Sequence, residues 1–454
     1  MPRGAAFSRT STNRTCRHRA SEHNAGRNQP AVCHLSPGLA LTFLHCILHP
    51  YVGRADVWSQ RLSQPSIVIV AARRTPIGAF LGALSSVTAP ELLAVAARAC
   101  LADAAIAAAD VSEALIGCVL QAGIGQAPAR QAALASGLPN AVPTTTVNKV
   151  CGSGMKTVHL GADLIRAGSA SVVLAGGMES MSSAPYLLPK ARSGYRMGHQ
   201  EVLDHMFHDG LQNPYDGQMM GFFGEATAKR YGFSREEQDA FAIESVKRAL
   251  AASRDGAFQT EIAPVSIQTR AGETIAGNDE EPGRCDLQRI PTMRPAFARD
   301  GTITAATSSS ISDGAAAVLL MSESEAQRRG LQPLARIVAQ VSHAQEPAWF
   351  TTAPGPAVQN LLAARQWTFV VVDLFEINEA FACVTLAAMR DLGAPHDRVN
   401  VHGGACALGH PIGATGTRLL VTLIHALRTR GGKRGVATAC IGGGEAIATA
   451  IELV

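Results

Sequence analysis

The stretch Val147-Asn148-Lys149-Val150-Cys151-Gly152-Ser153-Gly154 decides the reading of this chain, because its plan returns in the second half. After it comes a helical pattern through Ala167, then a strand pattern over 171–174 that runs into Gly176-Gly177-Met178-Glu179. The second passage opens on Val399-Asn400-Val401-His402-Gly403-Gly404, continues as a helix through Arg428, and leads by a strand over 435–440 into Gly442-Gly443-Gly444-Glu445. In each, a Gly-rich loop opens a helix and a Gly-rich loop closes the next strand. Such self-similarity implies an internal duplication whose halves pair about a pseudo-twofold axis. Loops distant in sequence would then meet in one cleft.

Working outward, residues 66–70 (Ser-Ile-Val-Ile-Val) read as a strand and Arg73-Arg74-Thr75-Pro76-Ile77-Gly78 as a turn. A helix is expected over 89–104, with strands over 114–120, 145–148 and 369–374. Short β-branched strands alternating with Ala/Leu-rich helices signify an α/β fold with covered sheets. Between the halves, over about 181–309, Tyr, Met, His, Pro and charged residues concentrate. One amphipathic helix is clear there, over 234–251, opened by the capping box Ser234-Arg235-Glu236-Glu237. An insertion of this kind beside a cleft suits substrate binding.

The chain has 454 residues, 47% hydrophobic and 17% charged, with 40 Lys+Arg against 36 Asp+Glu for a net +4. That is too apolar for a disordered chain and long enough for two or three cores. So small a charge excludes nucleic acid as the main partner, which would demand a concentrated basic face. The excess is local. Residues 1–62 hold eight Arg and no Lys against Glu22 and Asp56, a balance of +6, which leaves −2 for the rest. The longest apolar run, 39–52, is interrupted by His45 and His49 and is shorter than the roughly 18 to 20 residues a bilayer crossing needs. Ten Cys without a CxxC pair fit a reducing, cytoplasmic setting better than a disulfide scaffold.

Residues 1–62 form a basic leader with three readings. It is an organelle transit peptide, a metal site built from Cys16, His18, Cys33, His34, His45, Cys46 and His49, or translation upstream of the true start near Leu62. The third is favoured, because the body begins naturally there. Intact mass of the protein from its native source checks this, and a mass that includes residues 1–61 would contradict it.

Cys151 is the first candidate for chemistry. A Cys between a strand and a helix, beside Gly152 and Gly154, sits at a helix N-terminus, where the dipole and backbone N–H groups favour thiolate. The plain alternative is a buried small hydrophobe. His410, in Gly409-His410-Pro411-Ile412-Gly413-Ala414, could take a proton from a thiol. Cys440 stands at a strand end before three glycines. In Asn378-Glu379-Ala380-Phe381, Asn378 could orient a water or an oxyanion, or be an ordinary helix cap.

Taken together, the Cys151 stretch, Asn378-Glu379-Ala380-Phe381, the His410 stretch and Cys440-Ile441-Gly442-Gly443-Gly444 resemble the thiolases, most closely their acetyl-CoA acetyltransferase branch. Four ordered blocks are specific where each alone is weak, and the likeness covers about 66–454. It implies a duplicated, layered αβαβα fold, with an N-terminal half over 66–325 that contains the inserted loop domain and a C-terminal half over 332–454. It implies that Cys151, deprotonated with help from His410, carries an acetyl group from acetyl-CoA, and that Cys440 acts as base or acid on a second acetyl-CoA to give acetoacetyl-CoA and CoA. The enolate would meet His410 and a water held by Asn378, and the tetrahedral oxyanion the backbone N–H groups of Cys151 and Gly442. Met220, Phe297, Ser309, Ala380 and Phe381 would line the pantetheine path, and Arg284 would meet the nucleotide phosphates. No metal or further cofactor is implied, since coenzyme A thioesters are substrates. A homo-tetramer or dimer on a shared sheet edge is implied.

Departures from the pattern are Met219 in place of a His near the acyl chain, Thr307 in place of Asn, and Cys406 at an aliphatic position; Met219 bears on chain length. A degradative 3-ketoacyl-CoA thiolase for longer chains shares all four blocks. A decarboxylating ketosynthase would carry a second His at the place of Asn378 and would not need Cys440. A catalytically silent lipid carrier or scaffold would have no use for the intact set.

Overall fold

The computed structural model describes residues 64–270 and 272–454. The three readings of the leader, with its Cys/His set, lie outside the described residues. The first half runs β1 (Ile67–Arg74), α1 (Ala89–Asp103), β2 (Glu113–Gly117), α2 (Pro128–Ala135), β3 (Thr144–Val147), α3 (Ser153–Arg166) and β4 (Val172–Ser180). The inserted segment follows with α4 (Met220–Tyr231) and α5 (Arg235–Arg254), and β5 (Ser312–Ser322) completes the half. The second half runs β6 (Ala335–Ala344), α6 (Pro354–Arg365), β7 (Leu374–Ile377), α7 (Ala382–Leu392), α8 (Ile412–Arg430), β8 (Arg434–Ile441) and β9 (Glu445–Leu453).

Strand order is β7-β8-β9-β6-β1-β5-β4-β2-β3. The duplication is written in the pairing directions. In the first half β3, β2 and β4 are parallel, and β5 and β1 follow antiparallel. In the second, β7 and β8 are parallel, β9 and β6 follow antiparallel, and Val399 bridges β7 in the place of β3. The halves join where β1 meets β6 antiparallel over only Ile67↔Ile337, Val68↔Arg336 and Ile69↔Ala335.

Period-two burial explains the layers. Leu174 of β4 and Leu319 of β5 face one way, onto a core with α1. Val173 and Leu320 face the other way, into a second core shared with α3, α8 and the inward residues Ala439 and Ile447 of the other half. A third core packs α6 on β7, β8 and β9. Both faces of these strands are covered, so they read as nearly continuous apolar runs. Helix, sheet, paired helices, sheet and helix make the five layers of the thiolase-like α/β fold.

The middle helices cross at glycines. A Cβ on Gly154 would lie 2.9 Å from the Gly413 carbonyl oxygen, and one on Gly416 only 2.3 Å from the Met155 backbone nitrogen. The Thr417 hydroxyl donates to the Gly154 carbonyl at 2.8 Å across this contact. Backbone at that distance cannot yield as a side chain does. Gly416→Ala is therefore expected to lower stability by about 3 kcal/mol, the upper part of the range for overpacking, which a denaturant midpoint measures.

Three local expectations are corrected, and one helix appears that none foresaw. The strand expected over 114–120 ends at Gly117, because the Val119 and Leu120 N–H groups turn away to the Glu179 carboxylate at 3.1 and 3.0 Å. The glycines of 176–179 lie inside β4 and form no loop; a Cβ on Gly177 would meet the Gly413 carbonyl oxygen of α8 at 2.0 Å, and one on Gly176 the Ala316 carbonyl oxygen of β5 at 2.6 Å. The strand expected over 369–374 is a 3₁₀ turn, Phe369–Val371, followed by β7. The capping box at Ser234 opens α5 as expected, but α4 precedes it unannounced. Its glycines hide the helical pattern and serve packing, since a Cβ on Gly221 would fall 2.2 Å from the Phe297 ring.

Candidate active site

Cys151 is presented by a strained turn. Val150 has φ 46°, a left-handed conformation that is uncommon for a β-branched residue and costs on the order of 1–3 kcal/mol. The turn is held by Asn148 Oδ1 accepting the Val150 N–H at 3.0 Å and by Ser153 Oγ accepting the Lys149 N–H at 2.8 Å. Gly152 has to be small, because Ile441 Cδ1 stands 2.5 Å from where its Cβ would be. Cys151 thus sits immediately before α3, as expected. Its acidity does not follow the expectation. Its own N–H and that of Gly442 face the thiol and pull the pKa down, but burial dominates and pushes it up to about 11. Desolvation of the charged form outweighs the helix terminus. A partner able to accept the proton is required.

The candidate acceptor is His410. Its backbone N–H donates to the Ser310 carbonyl at 3.0 Å, and the preceding Gly409 has φ 103°. The Thr415 hydroxyl donates to the Pro411 carbonyl at 2.9 Å, which leaves its lone pair for His410 Nδ1–H at 2.6 Å. The proton is thereby placed on Nδ1, and Nε2 is left as a free base. Burial first, then the Arg418 charge, lowers the His410 pKa to about 3, so the ring is neutral at pH 7.

Cys440 closes β8 opposite Ala446 and is fully buried; burial, then the Cys151 thiol, holds it well above the usual thiol range. Asn378 follows β7 directly, its N–H donating to the Thr438 carbonyl at 2.9 Å. Its side chain is fully buried, and neither Oδ1 nor Nδ2 has a partner among the described residues. It is not a helix cap, because α7 begins four residues later with Phe381 at its N-cap. A buried amide left without partners costs about 1–3 kcal/mol. Such a group fits a polar atom from outside the chain.

Met220, Phe297, Ser309, Ala380 and Phe381 line one cleft of about 610 Å³ together with His410 and Met219. Phe297 and Phe381 meet edge to face at 5.8 Å, and the Ser309 N–H and hydroxyl both donate to the Ala380 carbonyl, at 3.0 and 3.2 Å. Cys440 packs among Ala380 and Phe381 behind this wall, while Cys151 packs on Met181 and Ile412, which also face the cleft. Gly442 approaches Met220, whose sulfur lies 3.5 Å from the position of an added Cβ. Arg284 lies elsewhere, in an adjoining pocket with Arg289, Cys285 and Cys406 that shares Ser308 and Ser310 with the cleft; it pairs with Glu280 at 3.1 Å.

Two family models match the body of the chain: the thiolase N-terminal domain over residues 67–324 and the thiolase C-terminal domain over 331–453. The chain belongs to the thiolase family. It is 48% identical to the acetyl-CoA acetyltransferase of Pseudomonas aeruginosa over 384 residues, 84% of this chain and 98% of that protein. It is 49% identical to that of Escherichia coli over 387 residues, 85% of this chain and 98% of the other. Two of the solved structures that resemble this thiolase illustrate the likeness. One is the Bacillus anthracis acetyl-CoA acetyltransferase, with TM-score 0.84 and 39% identity over 86% of this chain and 99% of that one. The other is an Ascaris suum thiolase in complex with coenzyme A, with TM-score 0.81 and 40% identity over 86% and 100%.

Several residues around this thiolase's cleft carry no separate sign in the sequence. Thr415 sets the His410 tautomer from five positions away, and Ser310 anchors the His410 backbone from the far side of the chain. Glu179 had one signal, an acid at the end of an otherwise apolar run, Val172-Val173-Leu174-Ala175-Gly176-Gly177-Met178.

Proposed function

We propose that this thiolase is an acetyl-CoA C-acetyltransferase, catalysing the reversible condensation of two acetyl-CoA to acetoacetyl-CoA and CoA through an acetyl-cysteine intermediate. The observation that carries the chemistry is a partly buried thiol, Cys151, faced by two backbone N–H groups in a site whose His410 offers a free Nε2. The relatives' names, at 46–49% identity across nearly their full length, support the acetyl substrate.

In this scheme the Cys151 proton passes to His410 Nε2 and the thiolate attacks the thioester carbonyl. The oxyanion accepts from the N–H groups of Cys151 and Gly442. Collapse breaks the C–S bond to CoA, and the departing sulfur takes the Cys440 proton. The Cys440 thiolate, a strong base at that depth, then removes a methyl proton from the second acetyl-CoA. The enolate oxygen accepts from His410 and from a water held by Asn378, which gives the unpartnered amide its use. The carbanion attacks the acetyl-Cys151 carbonyl, the C–S bond to Cys151 breaks, and His410 returns its proton. No other cofactor enters.

Met220, Phe297, Ser309, Ala380 and Phe381 would hold the pantetheine arm, and Arg284, one pocket away, the nucleotide end. The outer edge of β3, which pairs with no strand among the described residues, suits a homo-dimer or tetramer built edge to edge. All seven described cysteines are free, which suits a reducing, cytoplasmic setting. Steady-state thiolysis of acetoacetyl-CoA against a 3-ketooctanoyl thioester tests the assignment. The expected kcat/KM preference for the short substrate is at least about tenfold, the value of a single methylene in an apolar pocket; a preference for the longer one would overturn it.

A further inference from the structure

Two glutamates outside the cleft cross between the halves. Glu179, at the end of β4, is fully buried and accepts the N–H of Gly413, in the first turn of α8, at 2.8 Å. The same carboxylate accepts the Val119 and Leu120 N–H groups and lies 3.7 Å from the Cys118 sulfur. Glu445, at the start of β9, pairs with Lys149 Nζ at a partly exposed site. Gly413 is three residues from His410, and Lys149 is two from Cys151. Each glutamate therefore belongs to one half and grips the loop that carries the other half's candidate reacting side chain.

The physical reasons differ. The first turn of a helix has N–H groups with no intrahelical partner, and a carboxylate there satisfies one and complements the helix dipole. Glu179 thereby sets where α8 begins, and with it where His410 stands. The Lys149–Glu445 pair flanks the left-handed Val150, a turn that persists only if its surroundings hold it.

We propose that Glu179 and Glu445 are crossed positioning residues: Glu179 fixes the His410 loop, and Glu445, through Lys149, fixes the Cys151 loop. The inference rests on Cys151 and His410 being the reacting pair. Its consequence is that thiol activation depends on contacts made across the two halves.

The test is the rate of Cys151 alkylation by iodoacetamide, with acetoacetyl-CoA thiolysis measured in parallel on the full chain. Glu179→Gln is expected to slow alkylation and lower kcat by roughly ten- to a hundredfold, the effect of a displacement near 1 Å, with KM changed less than about twofold. In a His410→Ala background the same change should add less than about twofold, since it acts through the missing imidazole. Glu445→Lys should slow alkylation by about tenfold, and the swapped pair Lys149→Glu with Glu445→Lys should restore it to within about threefold. Should Glu179→Gln not fold, Glu179→Asp, which keeps the charge but draws it back by one methylene, carries the same expectation. Unchanged alkylation in either single variant would overturn the proposal, as would a Glu179 effect that persists in full without His410 or a swapped pair no better than Glu445→Lys. Alkylation needs no substrate, so a wild-type protein inert toward acetoacetyl-CoA would count against the function while the clamp was still decided.

Discussion

Cys151→Ser is expected to lower kcat for acetoacetyl-CoA thiolysis by roughly 10⁴-fold, as loss of a covalent nucleophile does, and to leave the fold intact. A serine hydroxyl fills the same space, but its far higher pKa puts a usable alkoxide out of reach of His410. The measurement is turnover together with a mass spectrum of the protein after acetyl-CoA: the wild type should gain one acetyl group and the variant none. Undiminished turnover would refute the nucleophile. The pH dependence follows from the same geometry. With its pKa pushed up to about 11, an unaided Cys151 has about one thiol in ten thousand ionised at pH 7. A thiol loses its proton as pH rises, so alkylation of Cys151 in His410→Ala should climb without levelling off until pH nears 11. In the wild type the proton moves to the free Nε2 of His410, and the thiolate and imidazolium so formed attract each other in the buried site, which offsets the desolvation that disfavours each charge alone; alkylation at pH 7 should therefore be faster than in His410→Ala. Coincident profiles for the two proteins would remove His410 from the mechanism.

Cys440→Ala separates the two half-reactions. The variant should still take an acetyl group from acetyl-CoA on Cys151, more slowly because the departing sulfur must take its proton from water instead of Cys440, and release of acetoacetyl-CoA should fall by roughly 10³-fold or more, because no base remains to remove the methyl proton. The acetyl-enzyme should accumulate and be visible as a stable mass increase. If condensation survives, another group is the base; if acetylation is lost as well, the departing CoA sulfur has no proton source other than Cys440. The packing cost of the substitution is small, since Cys440 makes no side-chain hydrogen bond to another side chain and only one sulfur leaves a buried wall.

How much was legible in the sequence differs by residue. The duplication showed in the sequence because both copies need a loop, a helix and a strand in the same order, and small residues wherever the helices α3 and α8 press on each other or on a strand. Cys151, His410, Asn378 and Cys440 stood out because each lies next to glycines or at a strand end. The meaning given to some glycines was wrong: Gly177 marks the pressure of α8 on β4 and Gly176 the close approach of β5 and α1, which a one-dimensional pattern renders as a turn. Helix α4 escaped notice for the same reason, since its glycines make room for Phe297 and Ile303.

By itself, the sequence determined the fold class, the doubling of the chain and the residue types available for chemistry, because periodicity, turn residues and capping are short-range physics. Only the tertiary structure decided the electrostatics. A helix N-terminus predicts an acidic thiol, but burial, which depends on every element packed around Cys151, raises its pKa instead. The burial that keeps His410 neutral, the buried, unpartnered Asn378 amide and the glutamates that reach across the halves likewise exist only once residues distant in sequence are packed together. Desolvation and hydrogen bonding are properties of that assembled neighbourhood, and no local stretch of chain contains them.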